Sequence, residues 1–479
     1  MKPRYYYPLA VSLLALVSSA CSNLNTDLAI TETPMPASFQ DHQDQKDSVA
    51  VGNINWRDYF ADPHLLKLID AAVGNNLDLQ IALQRIETSR ASVKLANAAM
   101  LPKVDLNIGG GVRKFGLYTM DGAGNASTEI TPGNTVPENL TDMFVGLQSS
   151  WEIDVWGKLQ NQRSAAASSY LSSIEAANFV ISNLVADVAV YYNELLALDH
   201  ELDIVRRTIE KEREALEVIK LQKEAGRANE LAVQQFQAEL LNTQVSEKTI
   251  LQQIAETENK INYLLGRYPQ AIARSKDRFF TETPHELSAG VPSQLLANRP
   301  DVRAAEHQIE ASQFDLKAAK AAFYPNFNIS ATFGFQAFNP EFLFTSPASI
   351  AYSVFGQMIA PIINMKALEA QFNTAKANQL SAMYNYQKTI LNAYVEVANQ
   401  LSNIKNLQEI NALKKLQSEV LKQSVDVSNE LYKSARATYL EVLIAQQSAL
   451  QSHLELINVT KQQRISRINL YKALGGGWK

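Results

Sequence analysis

Cysteine is all but missing from this chain: Cys21 is the only one in 479 residues, so no intrachain disulfide can form. Charge is sparse, at 19%, and its balance is −5, so there is no basic excess to neutralise a nucleic-acid backbone. No apolar run approaches the roughly 20 residues that a spanning helix needs. The six histidines are scattered, with no pair at i, i+4 and no HExxH motif to hold a metal. The glycine run in "LNIGGGV" is not followed by the Lys-Ser/Thr of a phosphate loop. No catalytic constellation and no cofactor motif is present, and the chain reads as a non-enzyme.

Helix breakers are absent over two long tracts. No proline lies between Pro137 and Pro269 or after Pro361. Gly226 is the only glycine between Gly157 and Gly266, and none lies between Gly356 and Gly475. Both tracts are rich in Ala, Leu, Gln, Glu, Lys and Asn, with apolar residues three and four apart. Each predicts two very long antiparallel helices joined near the middle, at "KEAGRAN" around Gly226 and at "YKSARAT" around Ala435. A helix of about 65 residues would be about 100 Å long. Earlier in the chain, Asp62 followed by Pro63 predicts an N-cap and first helical position.

Four short segments have a different period. In "FYPNFNISATFGFQAF", Phe327, Ile329, Ala331, Phe333 and Phe335 alternate with Asn328, Ser330, Thr332, Gly334 and Gln336. That is a strand with one apolar and one polar face. "VDLNIGGGV", "FVGLQSSWEI" and "YSVFGQMIA" read as its partner strands, and all are close to the roughly 9–11 residues of a membrane-spanning strand. A small soluble sheet under helices would show the same alternation, but its polar face would lack water. Lipid tolerates no open sheet edge, and four strands close no barrel. Strands in a membrane must therefore be shared: two chains make eight, three make twelve.

The two halves repeat. Asn75, Asp78, Glu87, Lys94 and Pro102 recur 223 residues later as Asn298, Asp301, Glu310, Lys317 and Pro325. Gln162, Arg227, Leu231 and Gly266 recur 209 residues later as Gln371, Arg436, Leu440 and Gly475. The 14-residue difference falls in the loop "GLYTMDGAGNASTEITPGNTVPEN", where insertion is cheap. The expected segments are a signal peptide (1–20), a lipidated N-terminal tether and equatorial segment (21–62), and a first repeat (63–266) with a β-hairpin at about 103–154. An equatorial linker (267–297), a second repeat (298–475) with a β-hairpin at about 326–360, and a tail (476–479) follow.

At the N-terminus, Lys2 and Arg4 precede the apolar "LAVSLLALV" and a small-residue "SSAC" ending at Cys21. The pattern resembles a bacterial lipobox, with Ser18 where Leu is usual. That resemblance implies a covalent lipid on Cys21, and Ser22 after it implies sorting to the outer membrane.

"WRDYFADPHLLKLI", "WEIDVWGKL", "RPDVRAAEHQIEAS", "AAFYPNF" and the terminal "YKALGGGW", in that order on a duplicated frame, resemble the TolC-like outer-membrane factors. The likeness is to the lipoprotein branch, the NodT-like outer-membrane components of RND tripartite efflux systems. It implies a mixed membrane protein, mainly α. Long antiparallel helices would form an α-barrel, and four transmembrane strands per chain would contribute to a twelve-strand β-barrel of a homotrimer. It implies a passive, tip-gated exit duct for small molecules in the outer-membrane lipid. The duct would meet an inner-membrane RND transporter through a periplasmic adaptor (membrane fusion protein), and bind no nucleic acid. By position in the family, Leu440, Glu441 and Ile444 would ring the constriction, while Tyr432, Lys433, Arg436 and Arg227 would hold the helix tips through polar contacts. Periodicity alone also allows Leu440, Leu443 and Ile444 to be core residues of a coiled coil and Glu441 to be a solvated charge. A duct serving a type I protein exporter, and a non-porous lipid-anchored scaffold, are the competing functions.

Overall fold

The computed structural model describes residues 26–30, 34–36, 38–39, 51–276, 278–281, 290, 292–361 and 364–479. The expected leader, Cys21, most of the tether and part of the linker lie outside the described residues.

The chain opens with a short 3-10 turn at Val51–Asn53, then α1 (Trp56–Tyr59), α2 (Pro63–Asn75) and α3 (Leu77–Ala99). Strand β1 (Lys103–Lys114) follows, then α4 (Met120–Ser127), β2 (Glu129–Thr131), β3 (Asn134–Thr135) and β4 (Asn139–Ile153). Next come α5 (Lys158–Glu224) and α6 (Glu230–Leu264), then α7 (Arg278–Thr281) and α8 (Gln294–Asn298). The second half has α9 (Pro300–Ala321), β5 (Asn326–Ala337), β6 (Ile350–Ile359), α10 (Met365–Lys433) and α11 (Tyr439–Ala473). The loop of the first half, read from sequence as irregular, holds α4 and the small β2–β3 hairpin. The helical hairpins are not joined near the middle: α5 has 67 residues against 35 in α6, and α10 has 69 against 35 in α11.

The chain divides into two compact units that interleave along the sequence. One is built mainly from Thr88–Tyr170 and His307–Tyr384, the other from Thr31–Glu87, Leu171–Glu306 and Asn385–Lys479.

The first unit holds an antiparallel sheet of order β1-β4-β5-β6. Its register stacks residues in rows across the four strands. Leu106, Leu147, Phe333 and Tyr352 form one row, and Ile108, Val145, Phe335 and Ile350 the next on the same face. Asp105, Gln148, Thr332 and Ser353 form a row on the opposite face. The alternation read in β5 therefore carries across the sheet, because antiparallel pairing keeps like parities together, with Phe144 and Phe355 as exceptions on the polar face. The apolar face is bare: Leu106, Ile108, Val112, Tyr352 and Val354 are all exposed. The outer edges of β1 and β6 pair with no strand among the described residues.

The second unit has the larger core. Trp56, Leu65 and Ile69 pack with Val188, Tyr192 and Leu195 of α5 and with Val397, Ile457 and Leu470 of α10 and α11. The Asp62 cap forms as expected: its carboxylate accepts from the His64 amide at 2.8 Å and, at 2.7 Å, from the Tyr192 hydroxyl. By length and composition α5 is apolar enough to cross a membrane, which the sequence reading did not find. The same helix supplies Leu184, Val185, Val188, Ala189, Leu195 and Leu196 to the buried core, which accounts for its apolar stretch.

The repeat shows in its contacts. Gly266 and Gly475 each end a helix at positive φ, +64° and +88°, and a Cβ there would lie 2.4 Å from the Asn75 carbonyl oxygen and 2.5 Å from that of Asn298. Only glycine fits either place. Beside each, the next residue of the repeat caps the helix end: Asn76 donates to the Leu264 carbonyl at 2.9 Å, and Arg299 donates to that of Ala473 at 2.9 Å. Arg299 is buried, and its charge is met by Asp301 at 2.7 Å and Glu396 at 2.7 Å.

Candidate functional site

The residues singled out from the sequence gather at the two helix-hairpin turns of the second unit. Both turns have the same backbone. After α5, the Gly226 amide donates to Lys223 O and the Arg227 amide to Gln222 O; after α10, the Ala435 amide donates to Tyr432 O and the Arg436 amide to Leu431 O. Each turn needs a left-handed residue, which is Gly226 (φ +71°) in one and Ala435 (φ +57°) in the other. Asn229 then caps α6 by accepting from the Ala232 amide at 2.9 Å.

Thr438 opens α11 with a capping box. Its amide donates to the Glu441 carboxylate at 2.5 Å and its hydroxyl donates to the same oxygen at 2.9 Å. These bonds hold the Glu441 carboxyl below its ordinary range. Glu441 is therefore engaged at its own helix start rather than standing as a free charge.

Leu440 and Ile444 are 43% and 52% exposed, whereas Leu443 between them is 6% exposed and packs with Phe236, Leu240 and Ile219. The core alternative thus fits Leu443 and does not fit Leu440 or Ile444 within one chain. Of the four expected tip contacts, the structure makes one between hairpins: the Tyr432 hydroxyl donates to the Gln222 side-chain oxygen. Partial burial pushes that hydroxyl's pKa up. Lys433 does not reach the other hairpin; it pairs with Glu430 of its own helix at 2.8 Å, one turn back, where long exposed side chains meet most easily. Arg227 and Arg436 contribute their backbone amides to the turns, and their side chains make no hydrogen bond or ion pair within the described residues.

Sequence reading missed a buried carboxyl further along the same hairpin. Glu212 of α5 is 4% exposed, on the same helix face as the buried Ile209 and Leu216. It accepts from the Thr243 hydroxyl at 3.0 Å, and its second oxygen has no hydrogen-bond partner among the described residues. Burial, with Glu239 nearby, pushes its pKa up to about 7. Glu239 itself accepts from Gln447 of α11 at 2.5 Å. No sequence signal marks Glu212, because Glu is common on helices and its neighbours come from another helix.

The polar face of the sheet is the second candidate surface. Asn107 donates to Gln148 at 3.0 Å, and Thr332 and Ser353 share a hydrogen bond at 2.7 Å. Arg113 and Gln336 both donate to Asp142, at 3.0 and 2.8 Å. Such a face needs water, while the apolar face opposite rejects it. No group of three or more His, Cys, Asp or Glu that could hold a metal ion occurs among the described residues.

A family model described as outer membrane efflux protein matches residues 68–267 and 291–476. The cation efflux system protein CusC of Escherichia coli is 28% identical over all of both chains. The solvent efflux pump outer membrane protein SrpC of Pseudomonas putida is 29% identical over 98% of each. The probable outer membrane lipoprotein SilC of Salmonella typhimurium is 26% identical over 98% of each. A solved membrane protein from Pseudomonas aeruginosa superposes with a TM-score of 0.84 at 26% identity, over 96% of this chain and 98% of that one. A CusC structure superposes at 0.81 and 26% identity, over 94% and 99%.

Proposed function

The chain belongs to the outer membrane efflux protein family and is an outer-membrane channel component of an efflux system, and from that premise we propose that three copies close one exit duct. The observation that carries this is the four-strand sheet: one face apolar and bare, the other mainly polar, and both edges unpaired among the described residues. An open edge in lipid leaves backbone donors and acceptors unmet at several kcal/mol each. Three copies supply twelve strands, with the apolar faces toward lipid and the polar faces toward a water-filled lumen. The helix hairpins of the three copies would form the duct's α-barrel in the periplasm. The duct itself is passive, as its place in an efflux system requires, and cargo is driven by its partners, a periplasmic adaptor and an inner-membrane RND transporter.

The gate belongs at the hairpin tips. Leu440 and Ile444, exposed on one side of α11, would meet their symmetry mates and exclude water, as apolar constrictions do. The Tyr432–Gln222 bond links the two hairpins and would resist their parting. A lipid on Cys21 would add an anchor to the barrel; the relative SilC is named a lipoprotein. Native mass spectrometry of the detergent-solubilised protein, with single-channel recording in planar bilayers, tests the proposal. A stable particle of three chains that conducts is expected. A monomer with intact strands, or a trimer that never conducts, would overturn it.

A further inference from the structure

The two free edges of the sheet carry complementary surfaces, and we infer that they fix how one copy's β6 joins the next copy's β1, residue by residue. The inference rests on the assembly proposed above and adds its register. Phe355 of β6 lies on the polar face, in register with Ser330, and is 60% exposed. It has no ring partner among the described residues, and it sits on the edge strand. On the other edge, the polar face of β1 carries Gly109 and Gly111. A Cβ at Gly111 would meet nothing within 4 Å, and one at Gly109 would meet only the Asn107 side-chain oxygen at 3.6 Å. The β1 edge is thus bare backbone where the β6 edge has an uncovered ring.

The same sheet already shows what a ring does with such a gap. Phe144, also on the polar face, lies over Gly146, where a Cβ would be 2.7 Å from the ring's Cζ and 2.6 Å from the Gly334 Cα. An aromatic ring covering cross-strand glycines stabilises an otherwise bare piece of sheet. At the seam, β6 and β1 run antiparallel, and polar faces must match polar faces. Two registers then pair all ten residues of β6 with β1. Placing Phe355 opposite Gly109 pairs Ile350 with Lys114 and Ile359 with Asp105. It also sets Gln357 beside Asn107, two amides that can hydrogen-bond, and Tyr352 beside Val112 and Met358 beside Leu106 on the lipid side. Shifting by two residues would set Phe355 on Asn107 and Ile359 on Lys103, leaving Gly109 and Gly111 uncovered by any ring. Only the first register sets the uncovered ring of one edge over a bare glycine of the other.

Cross-linking in intact outer membranes decides it, because Cys21 is the only native cysteine. Full-length chains carrying Phe355→Cys with Gly109→Cys, Asn107→Cys or Gly111→Cys are oxidised and run without reductant. Within one chain β1 and β6 are three strand spacings apart, about 14 Å, beyond the roughly 7 Å limit between the Cα atoms of a disulfide. Any bond is therefore between copies. The Gly109 pair should yield at least tenfold more linked species than the other two. Dominant linkage at Asn107 or Gly111 overturns the register while leaving the trimer standing. No linkage at any pair in a particle of three-chain mass overturns it too, and a monomeric mass overturns the assembly as well. As a second measurement, Gly109→Val should lower the temperature at which the trimer dissociates, and adding Phe355→Ala should restore it. Failure of that rescue counts against the contact.

Discussion

Ala435 is the one non-glycine residue with positive φ among the described residues, and it sits where the other hairpin has Gly226. Replacing it tests how firmly the tip turn is made. A left-handed L-residue costs roughly 1–2 kcal/mol. Glycine removes that strain but gives back about 0.4–1 kcal/mol through its freedom in the unfolded chain. Ala435→Gly should therefore stabilise the turn by about 1 kcal/mol, close to a fivefold change in a local opening constant. The bonds that report it are the Arg436 and Ala437 amides, which donate to Leu431 O at 2.8 and 3.3 Å. Their hydrogen exchange should slow by about fivefold if the turn opens locally. The converse is Gly226→Ala. Nothing lies within 4 Å of a Cβ there, so its cost is conformational alone, about 1 kcal/mol. The Arg227 and Ala228 amides, bonded to Gln222 O at 2.8 and 3.3 Å, should exchange about fivefold faster. Unchanged exchange in both variants, or a shift of the same sign in both, would refute the reasoning.

At the proposed gate, Leu440→Ala removes bulk and Ile444→Asp brings like charges together across the three-fold axis; both should raise resting conductance and sensitivity to vancomycin, and wild-type values in both at equal expression would move the gate elsewhere. Glu441→Gln should fray the first turn of α11, seen as faster exchange of its leading amides, with a smaller effect on cation preference than a free carboxylate would give. Glu212 binds a proton more tightly folded than unfolded, so its contribution to stability is fullest below about pH 4.5 and is lost as pH rises toward about 7; Glu212→Gln should flatten the melting temperature across that window, and an unchanged slope would contradict its burial. Cys21→Ser should abolish acylation by mass spectrometry while leaving the trimer's mass, less the lipid, intact.

How much of this could be read from residue order follows from the range of each cause. Alternation in β5 is a property of adjacent residues, and antiparallel pairing carries it across four strands without further information. The two hairpin turns are marked by what interrupts a tract empty of Pro and Gly, so Gly226 was visible and Ala435 followed from the 209-residue offset. Unequal arms were legible too, since Gly226 lies 69 residues after Gly157 and 40 before Gly266, and placing the joins near the middle passed over that spacing; what residue order does not show is why Gly266 and Gly475 end their helices, each pressed on a carbonyl from a distant part of the chain. Glu212 was hidden for the same reason: its burial is decided by Thr243 and the apolar residues of α6, 31 positions away in the case of Thr243.

The gate residues mark where legibility ends within one chain as well. Leu440, Leu443 and Ile444 lie within two turns of the same helix, and periodicity treats all three as one apolar stripe. Folding separates them: Leu443 enters the core shared with α6, while Leu440 and Ile444 stay in the open. Two exposed apolar side chains beside a buried one are costly in water unless something covers them, at roughly 25 cal/mol per Å² of apolar surface. The bare face of the sheet poses the same demand at the other unit. In both places the uncovered surface lies where copies of the chain would meet each other or lipid, so the residues that matter most to the duct are the ones a single chain leaves unsatisfied. Sequence patterns describe how a chain satisfies itself; in the proposed three-copy duct the working surface would be the remainder.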